Sequence, residues 1–182
     1  YFGFSVSTAG DFNGDGKDDV IVGAAFDDNN GSNSGSAFIF FGGITGTKRA
    51  DADADVILDG SAVDYFGFSV SSAGDFNGDG KDDVIVGAHF ADNTNSGDGS
   101  AFIFFGGITG TKTADADADV ILNGQSAGDE FGGVYQTDSK KVLGHGDFNG
   151  DGTSDVIVGA RYDDNNSESN SGSAFVFLSS GV

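Results

Sequence analysis

The stretch Asp11-Phe12-Asn13-Gly14-Asp15-Gly16-Lys17-Asp18-Asp19 runs directly into Val20-Ile21-Val22-Gly23-Ala24. The same pattern returns at 75–83, before 84–88, and again at 147–155, before 156–160. In every copy, side chains that carry oxygen occupy loop positions 1, 3, 5 and 9, and Gly occupies position 6, where a tight turn needs backbone freedom. Ca²⁺ takes about six to eight oxygen ligands at roughly 2.3–2.6 Å. The stretch therefore predicts a calcium-binding loop that occurs three times.

The predicted ligands are the side chains at positions 1, 3, 5 and 9 of each copy. They are Asp11, Asn13, Asp15 and Asp19 in the first loop, Asp75, Asn77, Asp79 and Asp83 in the second, and Asp147, Asn149, Asp151 and Asp155 in the third. An EF-hand would place a bidentate Glu at position 12, whereas this chain has Val22, Val86 and Val158 there. A polar turn that binds nothing is the alternative, since Asp, Asn and Gly favour turns, but three copies with one spacing favour calcium over it. Mg²⁺ is disfavoured because it demands near-ideal octahedral geometry.

The composition excludes several classes of function. The formal charge is −21, from 29 acidic residues against 8 Lys and Arg, so nucleic acid and anionic membranes are unfavourable partners. The chain has no Cys, which excludes disulfides, zinc thiolate sites and thiol catalysis. No apolar run reaches the ~18 residues of a membrane span. Because the chain lacks Met and begins within a motif, we expect it to be a fragment or a processed product.

The chain repeats itself with a period near 64, since 1–6 matches 65–70. The third copy starts at Glu130-Phe131-Gly132 and is longer, which predicts repeats at 1–64, 65–129 and 130–182. Four strands are predicted for each repeat, at 2–6, 20–24, 37–41 and 56–58 in the first copy, and the last repeat lacks its fourth strand. The acidic loop is then the tip of the hairpin between the first two strands. No segment has a helical period, so the predicted class is all-β, with four-stranded antiparallel sheets stacked face to face as in propeller blades.

Three features recur together: Phe-Gly at the start of each repeat, the Asp-x-Asn-x-Asp-Gly-x-x-Asp loop, and Gly-Ala after the second strand. With these features the chain resembles FG-GAP repeat proteins, which include the N-terminal propellers of integrin α subunits and many bacterial surface proteins. The resemblance implies a β-propeller, commonly of seven blades, and a position-7 backbone carbonyl as a further calcium ligand, from Lys17, Lys81 and Thr153. The family usually has Pro after Gly-Ala, where this chain has Ala25, His89 and Arg161.

The expected architecture is three blades of a larger, about seven-bladed propeller. The expected function is that of an extracellular calcium-binding protein, secreted or on the cell surface, with an adhesive or scaffold role and a protein or glycan ligand. No nucleic-acid binding, membrane insertion or catalysis is expected, and the partners include further blades of the same chain or other copies of it. Two alternatives stay open: a non-catalytic part of a larger secreted enzyme, and a self-assembling filament or sheath protein.

Four further predictions concern residues outside the ligand set. Position 8 of each loop, occupied by Asp18, Asp82 and Ser154, is expected to point to solvent. The acidic runs 27–30 and 163–166 either hold a second ion or form polar turns. The insertion 136–144 is either a partner contact or a tolerated surface loop. His89 and His145 are isolated in the repeat pattern and are interpreted as surface or core residues, not catalytic ones.

Overall fold

The computed structural model describes residues 1–92, 96–133, 143–164 and 170–179. Most of the insertion predicted at 136–144, together with Asn165 and Asn166 of the third acidic run, lies outside these ranges. In the first repeat the elements are β1 (Ser5–Gly10), β2 (Asp19–Ala24), β3 (Ser36–Phe40), the short helix α1 (Ala50–Asp53) and β4 (Val56–Asp59).

The second repeat has the same order with one more strand. Its elements are β5 (Ser69–Gly74), β6 (Asp83–Ala88), β7 (Ser100–Phe104), β8 (Gly110–Thr113), α2 (Ala114–Asp117) and β9 (Val120–Asn123). The described part of the third repeat contains β10 (Leu143–Gly146), β11 (Asp155–Ala160) and β12 (Ser173–Phe177). Among the described residues, no helix is long and apolar enough to cross a membrane.

The strands form three sheets with the orders β1-β2-β3-β4-β8, β5-β6-β7-β9 and β10-β11-β12. All pairings are antiparallel except β4 with β8, where a strand of the second repeat extends the sheet of the first in parallel. The prediction of an all-β fold built from repeated blade-like sheets is confirmed. The acidic loops lie at the tips of the β1–β2, β5–β6 and β10–β11 hairpins, also as predicted.

The second sheet is apolar on both faces because it packs against the first sheet on one side and the third sheet on the other. Ile21 and Ile39 of the first sheet share one core with Val86 and Phe102 of the second. The opposite face of the second sheet contributes Ile85, Ile103 and other residues to a second core with the third sheet, formed there by residues such as Val156 and Val158. In the first sheet, Phe38 and Phe40 on the outer face pack against Ala50, Ala54 and Ile57, so the apolar run 38–41 is also covered on both faces.

The Phe-Gly pair does not begin the first strand as predicted, because it forms a turn before that strand. The first strand starts at Ser5 instead of residue 2, and Gly3 has a φ of +84°. In the second repeat this turn inserts Phe66 into the core, where the ring meets Phe102 edge-on at 5.6 Å between centroids. Phe66 is fully buried, whereas its first-repeat equivalent, Phe2, is 52% exposed.

The sheets approach one another closely at two glycines. A Cβ on Gly23 would lie 2.0 Å from the carbonyl oxygen of Gly67, and a Cβ on Gly87 would lie 1.9 Å from that of Gly132. The same carbonyl oxygens accept hydrogen bonds from the neighbouring first strand: Ser5 Oγ donates to Gly67 at 2.8 Å and Ser69 Oγ to Gly132 at 2.5 Å. Only glycine fits at this contact, so the repeats join through the backbone.

We expect Phe66→Ala to lower the free energy of unfolding by about 3–5 kcal/mol, because the substitution empties a core site between two sheets. The matched substitution Phe2→Ala removes a half-exposed ring from the same motif position, and we expect it to cost less than half as much. Urea unfolding followed by far-UV circular dichroism measures both. Equal losses would contradict the core position assigned to Phe66.

Candidate metal centres

In the first two repeats, the first strand of the hairpin ends in a β-bulge that leads into the acidic loop. The register shifts between Thr8 and Gly10 in the first repeat and between Ser72 and Gly74 in the second. Gly10 and Gly74 have positive φ values of +65° and +63°. A bulge with a left-handed glycine bends the strand, and here it places the first predicted ligand of the loop at the turn. We call this edge of the stacked sheets the loop rim.

In the first loop, the predicted side-chain ligands all fold back onto the loop. Asp11 Oδ2 accepts the amide of Gly16 at 2.9 Å, and Asn13 Oδ1 accepts the amide of Asp15 at 2.8 Å. Asp15 Oδ1 accepts the amide of Lys17 at 3.0 Å. These Asx-type contacts turn the carboxylate and amide oxygens at positions 1, 3 and 5 toward a common backbone loop.

The second and third loops repeat this pattern. The position-6 glycine donates to the position-1 carboxylate in both, from Gly80 to Asp75 at 2.9 Å and from Gly152 to Asp147 at 3.0 Å. The position-3 amide oxygens of Asn77 and Asn149 each accept the amide of position 5 at 2.8 Å. The position-5 carboxylates of Asp79 and Asp151 each accept the amide of position 7 at 2.9 Å.

The position-9 carboxylate is the buried member of each set. Asp19, Asp83 and Asp155 are at most 1% exposed. Each accepts backbone amides of its own loop on Oδ2. The donor is Asn13 for Asp19, Phe76 and Asn77 for Asp83, and Phe148 for Asp155. On Oδ1 they accept the amides of Gly42, Gly106 and Ser179 at 2.6, 2.8 and 2.9 Å. Burial raises the pKa of Asp83 to about 6, although these three amide hydrogen bonds act in the opposite direction. Burial likewise raises the pKa of Asp19.

The amides of Gly42 and Gly106 belong to the site, although neither residue was predicted from the sequence. A signal for them was present, because Gly-Gly follows the third strand in both repeats and lies 23 residues after the position-9 Asp.

Position 7 differs between the loops. Lys17 is exposed, and its ammonium lies 2.9 Å from Asp15 Oδ2, which lowers the pKa of Asp15. Thr153 replaces the lysine in the third loop, where its hydroxyl donates to Asp151 Oδ1 at 2.5 Å and lowers the pKa of that carboxyl.

Two observations fit calcium binding by the loop residues: the chemistry of the ligand atoms, and one buried oxygen that has no hydrogen-bond partner. Asp11 Oδ1 is buried and accepts no hydrogen bond, which is costly for an ionised carboxylate unless a cation lies beside it. All donors in the set are hard oxygens, the type that Ca²⁺ prefers. In the part of the chain that the structure describes, no three Asp, Glu or His side chains are gathered into a preformed metal site. The oxygens instead hold loop amides.

Comparison with known proteins agrees with this repeated arrangement. The family model for the FG-GAP repeat matches residues 2–40, 66–104 and 142–177. These spans end at or near the last residue of the third strand of each sheet.

The chain belongs to the FG-GAP repeat family.

Integrin α chains are among the proteins that this chain is similar to. Integrin alpha-6 of Gallus gallus is 31% identical over 163 residues, which cover 89% of this chain and 14% of that protein. Integrin alpha-PS3 of Drosophila melanogaster is 34% identical over 169 residues, which cover 88% of this chain and 13% of that protein. Integrin alpha-7 of Rattus norvegicus is 36% identical over 163 residues, covering 89% and 13%. The chain thus spans a small part of the length of these relatives.

The halves of the FG-GAP motif meet in this structure. Gly67 of the Phe-Gly pair donates its amide to the carbonyl of Gly87, the glycine of Gly-Ala, at 3.1 Å, and Gly132 donates to Gly159 at 3.0 Å. The first repeat has the same contact from Gly3 to Gly23 at 3.1 Å. Both halves of the motif are therefore parts of one contact at the sheet junction, and neither touches the acidic loop.

The prediction that position 8 points to solvent is correct for Asp18, which is exposed, and wrong for Asp82 and Ser154. Asp82 Oδ2 accepts the amide of Asp11 at 2.8 Å, and the amide of Ser154 donates to the carbonyl of Asp75 at 3.0 Å. Both residues are half-buried against the loop of the preceding repeat. The error arose because their partners lie 71 and 79 residues away in the sequence.

A second group of carboxylates lies on the opposite edge of the sheets, which we call the far rim. There Asp64 is 8% exposed and accepts the amide of Ser61 at 3.3 Å, while the Ser61 hydroxyl donates to Asp115. Burial, with a smaller contribution from the Asp115 and Asp92 carboxylates, raises the pKa of Asp64 to about 7. The acidic run at 27–30 also lies on this rim, where Asn30 donates to the carbonyl of Gly60 at 2.9 Å.

The raised pKa of Asp64 has a definite effect on stability. Its folded-state pKa of about 7 exceeds the ordinary 3.8, so the native state is destabilised progressively as the pH rises from about 4 to 7. We expect Asp64→Asn to be more stable than the parent at pH 8, by about 1–3 kcal/mol once solvent screening is included. The difference should be small near pH 4, where the parent residue is protonated in the folded state and only about half ionised in the unfolded state.

Urea unfolding at pH 4 and pH 8 measures this effect. Asp117→Asn is the control of opposite sign, because the Thr113 amide lowers the pKa of the exposed Asp117 and its ionised form stabilises the native state. If Asp64→Asn gains nothing between pH 4 and pH 8, the buried environment assigned to Asp64 is wrong.

Proposed function

We propose that this chain is a calcium-binding, non-catalytic propeller module of an extracellular protein with an adhesive or scaffold role. The observation that carries the calcium assignment is the buried Asp11 Oδ1 without a hydrogen-bond partner, at the first position of a loop that occurs three times. Its hosts would be secreted or cell-surface proteins, as the family and its integrin α members suggest.

The charges of the loops support a bound cation. The first loop carries four Asp and one Lys, and the third carries three Asp with no Lys or Arg between 147 and 155. Each pair of carboxylates at ~4–5 Å repels by roughly 1 kcal/mol or more, depending on the local dielectric. A doubly charged ion offsets this repulsion. Asn13, Asn77 and Asn149, together with the carbonyls of Lys17, Lys81 and Thr153, would add neutral oxygens to the carboxylates.

The role of calcium would be structural. Each loop closes the hairpin between the first two strands of a sheet, and its position-9 carboxylate also accepts the amide of the second residue after the third strand. An ion bound in the loop would therefore link three strands of one sheet at the loop rim. A protein without disulfides gains from such a constraint, because metal binding that requires the folded loop stabilises the folded state.

The partner of the module would be a protein or glycan bound on loop surfaces. The fold fixes the sheets, whereas loops vary freely on them, so recognition belongs to the loops and the scaffold does not name the ligand. Further blades, from this chain or from another copy, would cover the outer faces of the stack, where Val6, Val20 and Val176 are 65%, 40% and 49% exposed.

Calcium should raise the melting temperature reversibly. With dissociation constants of ~0.1–1 mM, 10 mM Ca²⁺ adds about 1.4–2.7 kcal/mol per loop, which corresponds to about 3–10 °C for each loop in a chain of this size. Differential scanning calorimetry with Ca²⁺, then with excess EGTA, measures the increment, and Mg²⁺ at the same concentration controls for ionic strength.

A matched pair of variants assigns the effect to the loops. Asp11→Ala removes a predicted ligand and should reduce the calcium-induced increment by about one third, the share of one loop in three. Asp18→Ala removes an equal charge from the same loop at a non-ligand position and should retain most of the increment. A melting temperature that is indifferent to Ca²⁺ and EGTA would refute the proposed role.

A further inference from the structure

The first two acidic loops are hydrogen-bonded to each other along the loop rim. Asp82, at position 8 of the second loop, accepts the amide of Asp11 on Oδ2 at 2.8 Å and donates its own amide to the carbonyl of Asp11 at 3.2 Å. Asp82 of the second loop therefore forms hydrogen bonds with both the amide and the carbonyl of Asp11, the residue at position 1 of the first loop. The two bonds fix the position of that residue's backbone.

The chain leaves space for this contact by having glycine before Asp11. A Cβ on Gly10 would lie 2.1 Å from Asp82 Oδ2, and the φ of Gly10 is +65°. At the next junction, a Cβ on Gly74 would lie 2.2 Å from Ser154 Oγ. The same close approach therefore occurs at both junctions between loops. The side chain next to the glycine is a carboxylate between loops one and two and a hydroxyl between loops two and three.

Further contacts seat the first loop on the second repeat. Gly107 donates its amide to the carbonyl of Phe12 at 2.7 Å. A Cβ on Gly14 would meet the side-chain carbons of Lys81 at 3.3 Å and beyond. Positions 1, 2 and 4 of the first loop therefore all contact the second repeat. The second repeat therefore supports the first loop at three of its nine positions.

We propose that Asp82 is a positioning residue for calcium in the first loop, an inference that rests on the calcium function proposed above. A carboxylate acceptor on a backbone amide forms a strong, charge-assisted hydrogen bond. This bond orders Asp11 before the ion arrives, so less ordering entropy is lost on binding. Asp82 lies between Lys81 and Asp83 of the second loop, so calcium there also orders Asp82. By linkage, calcium bound in either loop raises the calcium affinity of the other loop, and the factor is the same in both directions.

The three position-6 glycines report each loop separately. The amides of Gly16, Gly80 and Gly152 donate to the position-1 carboxylates of their own loops at 2.9, 2.9 and 3.0 Å. Calcium that binds these carboxylates will shift the three amide resonances. A calcium titration followed by ¹H–¹⁵N correlation spectra on the 182-residue chain therefore yields one half-saturation concentration per loop.

We expect Asp82→Ala to raise the half-saturation concentration at Gly16 by about three- to tenfold, the effect of losing one hydrogen bond of ordinary net strength. Gly152 should change little. Asp18→Ala is the matched control, because it removes the same charge at the same loop position from the first loop itself, and Asp18 is exposed. If charge alone mattered, Asp18→Ala would weaken the first loop at least as much as Asp82→Ala does.

Two further variants keep the test decisive. In Asp82→Asn the amide oxygen still accepts from Asp11, so Gly16 should return toward the parent half-saturation value. Asp82→Ser introduces the serine that the third loop has at this position. It should also raise the half-saturation concentration of the first loop, and it replaces Asp82→Ala in the test if that variant does not fold. Equal effects of Asp82→Ser and Asp18→Ala at Gly16 would overturn the positioning role. If no glycine amide of the parent protein responds to Ca²⁺, the calcium function itself is wrong.

Discussion

The structure depends most on the buried carboxylate at position 9 of each acidic loop. Asp83 is completely buried, accepts two amides of its own loop on one oxygen, and accepts the amide of Gly106 on the other. It also begins the second strand of its sheet. One side chain thereby joins the loop, the second strand and the segment after the third strand. Because such a charge is costly to bury, burial raises its pKa to about 6, and the surrounding amides are needed to hold it.

A second constraint joins the sheets to one another. The glycines of Gly-Ala at 23 and 87 admit no side chain, since the backbone of the next Phe-Gly turn lies against them. The phenylalanine of that turn enters the core, and the serine of the neighbouring first strand donates to its glycine carbonyl. The acidic loops and these glycine contacts lie at opposite ends of the strands. The FG-GAP pattern thus records two separate requirements, one for closing the hairpin and one for stacking the sheets.

Much of this follows from the sequence, because the patterns that decide it are local and repeated. The period of 64 and the loop before each β-branched strand identified the hairpins and their stacking. The first strand was placed too early, since Phe66 is apolar and adjoins a strand but is buried through a left-handed turn at Gly67. The strand at Gly110–Thr113 has no apolar alternation, and it pairs with another repeat. The contact from Asp82 to Asp11 was missed for the same reason: stacking creates it, and residue spacing within a repeat does not reveal it.

Anomalous X-ray diffraction from crystals grown with Ca²⁺ tests the central assignment most directly. We expect three calcium peaks per chain, one in each loop, within about 2.3–2.6 Å of the oxygens at positions 1, 3, 5 and 9. The carbonyls of Lys17, Lys81 and Thr153 should complete the coordination. Loops without an anomalous peak at saturating Ca²⁺, or calcium bound only elsewhere on the acidic surface, would contradict it.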